Sequence, residues 1–492
     1  MCVKKHELDC QFILGQNEQL KPYGWTIHEN APWILATHPR LPVVNIFDNC
    51  KVFIGWLIGY PITPQGKLLS KTVILRKNET ENMDSFEKWI HDLSGRFACM
   101  ASLGSFCRFY LDSGGSLATV YSVENPVIAS TISLIDKPEN DWDHDLQKIL
   151  GMPERDSWYP SGLTPRKSIK RLLPNHYLDM NTWTILRHWP NPEDLEPQNS
   201  FNQTVGATIS LLKKNINAVA ERYPLQMSLT AGRDSRMLLA CCKDILDKIK
   251  FTTGVWIPSA VDCQIAKLLS EKLKLKHVTL KVRLASDDQL EDWQFRTGSC
   301  VSGEIWRIHP TSRLIDAYRA FLPGCAGEVG RAYYWQEGDA KRRAFDAQEI
   351  LKRAKLPPVG PILESTRTWL DEIAHLEWHT ILDLMYIEQR LGCWAGPLQY
   401  GQDGMHALRL FPLNDRAIFR EILRSPTKPR MKQMLAHDIC LREWPELLDV
   451  PFNQLTGAAR IVQTGREFMY LKAPENVRRL FNQIFAWRFQ AC

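Results

Sequence analysis

One sixteen-residue run, Leu225-Gln226-Met227-Ser228-Leu229-Thr230-Ala231-Gly232-Arg233-Asp234-Ser235-Arg236-Met237-Leu238-Leu239-Ala240, constrains this chain more than any other. Leu225, Met227 and Leu229 alternate as a half-buried strand does. Small and polar residues fill Thr230 to Ser235, and Met237, Leu238, Ala240 and Cys241 then open a helical period. The run predicts strand, tight loop, helix. In that geometry loop N–H groups and the positive end of the helix dipole face one point, where an oxyanion is favoured. The lysine-bearing loop G-x-x-x-x-G-K-[ST] is absent, which argues against an ordinary kinase or GTPase site.

The flanking pattern extends this unit into a sheet. Val205, Ile209, Leu212, Ile216 and Val219 step by fours and threes into a helix before the strand. After the loop helix, residues 249–254 predict a strand, 262–273 a helix and 277–282 a third strand. Such alternation implies a doubly wound parallel sheet of the α/β class, whose ligands sit at the carboxyl ends of strands. Residues 45 to about 190 differ: short strands at 52–60, 95–100 and 107–112, a short helix at 86–93 and turn residues between them predict an antiparallel, β-rich first domain. With 492 residues at least two cores are expected. The polar stretch from Pro190 to Asn199 places the boundary near 195, giving domains 1–195 and 196–492.

Composition removes several classes of function. The net charge of +6 is a small difference between 61 basic and 55 acidic residues, with no basic block for nucleic acid. The longest apolar run, residues 52–62, contains Pro61 and is too short to span a bilayer; the start of the chain does not read as a signal peptide. Thirteen cysteines without a C-x-x-C pair are expected to be reduced thiols in a cytoplasmic protein.

Thr230-Ala231-Gly232-Arg233-Asp234-Ser235 resembles the S-G-G-x-D-S pyrophosphate loop of the asparagine synthetase superfamily, with Thr230 for the first serine and Ala231 for the first glycine. Phe251-Thr252-Thr253-Gly254 resembles the segment that meets adenine, and Leu322-Pro323-Gly324-Cys325-Ala326-Gly327-Glu328-Val329 aligns without gaps with L-S-G-E-G-x-D-E. The resemblance implies an adenine nucleotide α-hydrolase-like (ATP-pyrophosphatase) domain. In it Ser228, Thr230, Ala231, Gly232, Arg233, Asp234, Ser235, Thr253, Gly254 and Gly324 contact ATP, and Asp234 and Glu328 hold Mg2+. Cys325 stands where asparagine synthetases carry a glutamate and β-lactam synthetases a tyrosine. With Lys432, in the place of the lysine of a K-x-x-L helix, it is the catalytic candidate. Phe411-Pro412-Leu413-Asn414-Asp415-Arg416 resembles the P-F-L-D-x-R turn.

In the first domain Gly95-Arg96-Phe97, Asp112-Ser113-Gly114-Gly115-Ser116 and Val127-Ile128-Ala129-Ser130 resemble later strands of the class II glutamine amidotransferase domain, an Ntn-hydrolase fold. Its nucleophile would be Cys2, but Val3-Lys4-Lys5 replaces the glycine that follows it, and the glutamine-holding motifs are missing. A degenerate scaffold is therefore expected, and ammonia or a substrate amine as nucleophile.

The reaction implied is ATP-dependent amide formation from a small-molecule carboxylate through an acyl-adenylate. Asparagine formation, amidation of a sugar acid, closure of a lactam or peptide ring, and a non-catalytic ATP-binding homologue all stay open. No nucleic acid or membrane partner is expected, and a homodimer is an open option. Two further features are read as structural: His375 and His379 at i, i+4, a spacing that can also bind Zn2+, and an amphipathic terminal helix over 477–489.

Overall fold

The structure, a computed structural model, describes residues 8–16, 22–198, 200–255, 259–281, 285–302, 316–342, 344–453, 465, 472–474 and 477. Cys2 and, apart from Val477, the expected terminal helix lie outside the described residues.

Two sheets are built before residue 190. One has six strands in the spatial order Ile169–Arg171, Val120–Ser122, Val127–Ala129, Phe12–Gly15, Trp33–Thr37, Thr26–Asn30, all antiparallel. The other has seven, Thr184–Arg187, His176–Asp179, Phe106–Leu111, Ser94–Leu103, Phe53–Ile62, Val43–Phe47, Lys71–Ile74, antiparallel except at the last pair. Period-two alternation decides what each face meets. Along Ser94–Leu103, Ala98 and Met100 turn to the core shared with Phe12, Leu14 and Leu35 of the other sheet. Phe97, Cys99 and Ala101 turn outward under Met83, Phe86 and Ile90 of the helix Met83–His91. Phe12 and Phe109 stack across the inner core at 6.0 Å.

The third sheet is parallel, in the order His277–Lys281, Ile249–Val255, Leu225–Ser228, Ala320–Leu322, Leu408–Arg409. Numbered along the chain this is 3-2-1-4-5, so the order reverses between Leu225–Ser228 and Ala320–Leu322. Loops leaving the carboxyl ends of those two strands part there and leave a crevice. Leu225 and Met227 on the central strand are at most 1% exposed. Each such side chain contributes about 1.5–3 kcal/mol on burial, so the strand that carries the key loop is among the firmest parts of the fold.

The two parts are fastened by buried polar contacts. Arg96 makes a bidentate pair with Asp403, both distances 2.7 Å. Asn414 donates to Asp112 at 2.7 Å and to the Gly95 carbonyl at 3.0 Å. Glu388 accepts from Arg187 and from Asn175. Between them, Pro192–Asp194 is a single 3-10 turn leading to the helix Phe201–Ala220.

Along residues 378–395 the helix changes form. Trp378–Leu384 is α-helical, whereas Met385–Ala395 is a π-helix. Such wide turns are rare and concentrate at functional sites. The i, i+4 argument for His375 and His379 fails because they lie on different elements, His375 after the helix Gly360–Ile373 and His379 in the next one. His379 packs on Trp335 and Trp378, and burial next to Arg430 pushes its pKa down to about 4.

Candidate functional site

The loop of residues 229–232 leaves the central strand and enters the helix Arg233–Ala240 at Gly232, which has an extended backbone and makes no side-chain cap. Because the cap is bare, the first-turn N–H groups keep the unsatisfied donors that every helix start carries. Hydrogen bonds fix the loop: Thr230 Oγ1 and Ser235 Oγ are 2.6 Å apart, Gly232 N–H donates to Thr230 Oγ1 at 3.1 Å, and Ala231 N–H donates to Asp262 at 2.8 Å. Two loop amides that the sequence reading assigned to a phosphate are thus engaged internally in this conformation. Ser228, the last residue of the strand, pairs in register with Thr252.

Across the crevice, the loop after Ala320–Leu322 presses on this helix. A β-carbon on Gly324 would lie 2.9 Å from Ser235 N, and one on Gly327 would lie 2.6 Å from Asp234 Cγ. Only glycine lets the backbones approach so closely. The short helix Gly327–Arg331 then delivers Glu328 and Arg331 to Asp234. One guanidinium nitrogen, Arg331 Nη2, is 3.1 Å from Asp234 Oδ2 and 3.0 Å from Glu328 Oε1. On its far side Glu328 accepts a hydrogen bond from the Tyr386 phenol at 2.5 Å. Tyr386 is supplied by the π-helix.

Asp234 is 7% exposed, and its Oδ1 is buried with no hydrogen-bond partner. Burial and then the neighbouring Glu328 charge raise its pKa well above the ordinary carboxylate range, with Arg331 pulling the other way. An orphaned buried oxygen beside a second carboxylate is a hard-donor pair that suits Mg2+, which takes few protein ligands and fills its shell from phosphates and water. The residues present therefore fit the ion. Among the described residues no group of three or more His, Cys, Asp or Glu could hold a metal by itself.

The remaining candidates fall unevenly. Thr253 Oγ1 donates to the Leu229 carbonyl at 2.6 Å and lies 2.8 Å from His277 Nε2, so it braces the loop rather than displaying its hydroxyl. The Gly254 carbonyl accepts from Ser259 at 2.6 Å. Arg233 sits with its guanidinium 5.3 Å from the Phe452 ring. Cys325 is in the loop, but burial, and then Glu328 and Asp234, push its thiol far up. It stays protonated at neutral pH and cannot act as a base there. Lys432 is exposed and follows the helix Thr427–Met431. Arg430, two residues before it, is what reaches the site's framework, donating to the Val329 carbonyl at 3.0 Å and to Asp383.

Three contributors escaped the sequence reading. Arg331 and Tyr386 carry no local signal, since their roles depend on which loops meet. Arg236 is the third: it donates to the carbonyls of Leu447, Val450 and Pro451, and its guanidinium lies 4.5 Å from the Phe452 ring. It binds the 447–453 segment over the loop helix, and Asn453 N–H closes the contact on the Ala231 carbonyl at 2.9 Å.

No protein-family model matches the chain. No curated protein matches it either.

Proposed function

We propose that the chain is an ATP-dependent ligase of the asparagine synthetase type, activating a carboxylate as its adenylate for attack by ammonia or an amine. The observation that carries this reading is the meeting of the Thr230–Ser235 loop with the Gly324–Glu328 loop at the strand-order reversal of a parallel sheet. Two independently placed sequence resemblances converge there on one pair of carboxylates.

On this reading the substrate carboxylate attacks the α-phosphorus of ATP, the bond to the β-phosphate oxygen breaks, and pyrophosphate leaves. The amine then attacks the acyl carbon and AMP departs. The helix start at Arg233, the hydroxyls of Thr230 and Ser235, and the guanidinium of Arg331 supply positive field and donors for the leaving pyrophosphate. Asp234 and Glu328 are the residues that would hold Mg2+, which when bound neutralises phosphate charge. Tyr386 orients Glu328, and the 447–453 segment held by Arg236 keeps the loop in place.

Adenylation makes the leaving group; the protein contributes positioning and charge. Neither Cys325 nor Lys432 furnishes a base for the amine, an observation that favours a second reading: a homologue that binds ATP without turning it over. Product analysis by phosphorus NMR, with ATP, Mg2+, ammonia and a panel of amino acids, sugar acids and peptide acids, separates the two. AMP and pyrophosphate formed with one acid support the ligase; ADP and phosphate, or no turnover with ATP bound, count against it.

A further inference from the structure

The helical run over residues 380–400 is buried at every position except Arg390, Trp394 and Leu398, which follow one another by fours. Tyr386, four residues before Arg390, begins the same row and donates to Glu328 at 2.5 Å. Residues so spaced are neighbours along one side of a helix, and the row therefore leads from the corner of Asp234 and Glu328 to the surface. At its inner end Tyr333, 51% exposed, packs its ring on Tyr386 at 5.4 Å and on Tyr334 at 4.9 Å.

The Arg390 guanidinium is clamped between two indoles, its carbon 4.7 Å from the Trp158 ring centre and 3.7 Å from that of Trp394. Among the described residues its side chain has no hydrogen bond and no ion pair, and none of its nitrogens is sealed from solvent. The acids of its own helix are committed elsewhere, Asp383 to Arg430 and Trp335, Glu388 to Arg187, Asn175 and Trp369. Burial raises the pKa of the Tyr334 phenol; Arg390 opposes that rise and Glu328 adds to it, so the two charges act on one ring.

Two rings cover the faces of a guanidinium and fix its plane, while its N–H edge stays free for an acceptor. We propose that Arg390 holds a second anionic group of the acyl substrate, which is thus a dianionic acid, with an apolar body against the exposed ring of Tyr333. One carboxylate lies at the Asp234 corner for adenylation, and the other accepts the edge of Arg390 about one helical turn away. Calling the ligand an acyl substrate rests on the ligase reading; the anion site itself does not.

Calorimetric titration of the full chain without nucleotide tests it with N-benzoylglutamate, with N-benzoylglutamine, which lacks one carboxylate, and with N-acetylglutamate, which lacks the ring. N-benzoylglutamate is expected to bind at least tenfold more tightly than either. Arg390→Gln keeps a planar group between the indoles and removes the charge, so it should abolish the preference over N-benzoylglutamine. Tyr333→Ala should abolish the preference over N-acetylglutamate, and both variants should melt close to the native temperature. In ATP-pyrophosphate exchange the loss in Arg390→Gln should fall on KM for the dianion more than on kcat, and pyrophosphate should bind both forms alike. The proposal is overturned if N-benzoylglutamate fails to bind or is not preferred, or if Arg390→Gln keeps the preference. It is also overturned if that variant loses pyrophosphate, which would assign Arg390 to the nucleotide. The expected binding pattern without exchange from any acid would uphold the dianion site and count against the ligase reading alone.

Discussion

Gly327 lies against Asp234 so closely that a β-carbon on it would stand 2.6 Å from the carboxylate carbon. The position of that carboxylate is therefore set by the absence of a side chain in the segment that follows the adjacent strand of the sheet. Gly327→Ala should displace Asp234 by a fraction of an ångström to about 1 Å, enough to lower adenylation roughly 100-fold. The overpacking itself should cost about 1–3 kcal/mol. Steady-state kinetics and a denaturant melt, read together, check that activity falls far more than stability does.

The proton on Asp234 gives a pH-dependent signature. Burial and Glu328 raise its pKa, so the native state binds that proton more tightly than the unfolded chain. Stability from this group is full below the ordinary aspartate range and is lost as pH rises through the raised value. Asp234→Asn has no such loss. Its melting temperature relative to the native protein should climb between pH 5.5 and pH 8.5, as scanning calorimetry in the absence of nucleotide and metal would record.

Arg331 supplies the cation that lets two carboxylates share one corner of the site. Arg331→Met leaves them facing each other, which should destabilise the metal-free protein by about 1–3 kcal/mol. If the pair holds Mg2+, the ion should restore more stability to this variant than to the native chain, since binding to the folded state alone adds RT ln(1 + [L]/Kd). Melting curves with and without Mg2+, against a Ca2+ control, measure the difference.

How far the sequence disclosed this site depends on whether a residue's role is local. The strand-loop-helix unit was legible because alternation at Leu225, Met227 and Leu229 and the helical period from Met237 are properties of adjacent residues; the structure has Leu225–Ser228 and Arg233–Ala240. The strands expected at 249–254 and 277–282 likewise appear as Ile249–Val255 and His277–Lys281. The short strand Ala320–Leu322 was missed because three apolar residues carry no period, although it places Gly324. The π-helix was missed because helical periodicity over so few residues does not distinguish its wider turn. Arg331, Tyr386 and Arg236 act across loops far apart in the chain, and no local pattern announces such contacts. Lys432 was weighed from motif position alone, and that position says nothing of exposure.

The junction between the two parts carries its own test. Arg96 and Asp403 are both buried and joined by two hydrogen bonds of 2.7 Å. Asp403→Ala strands the guanidinium and should cost about 3–5 kcal/mol. Replacing both, Arg96→Met with Asp403→Leu, should recover most of that loss, a comparison that urea denaturation of the single and double variants decides.

The central claim, that the Thr230–Ser235 loop and Asp234 support cleavage of ATP between its α- and β-phosphates, is met most directly by ATP-pyrophosphate exchange. The native chain is assayed with Mg2+ and a panel of carboxylates beside Asp234→Asn. The account predicts exchange stimulated by one class of acid and abolished by the substitution. Exchange that persists in Asp234→Asn, or ATP that binds while no acid stimulates exchange, would contradict it.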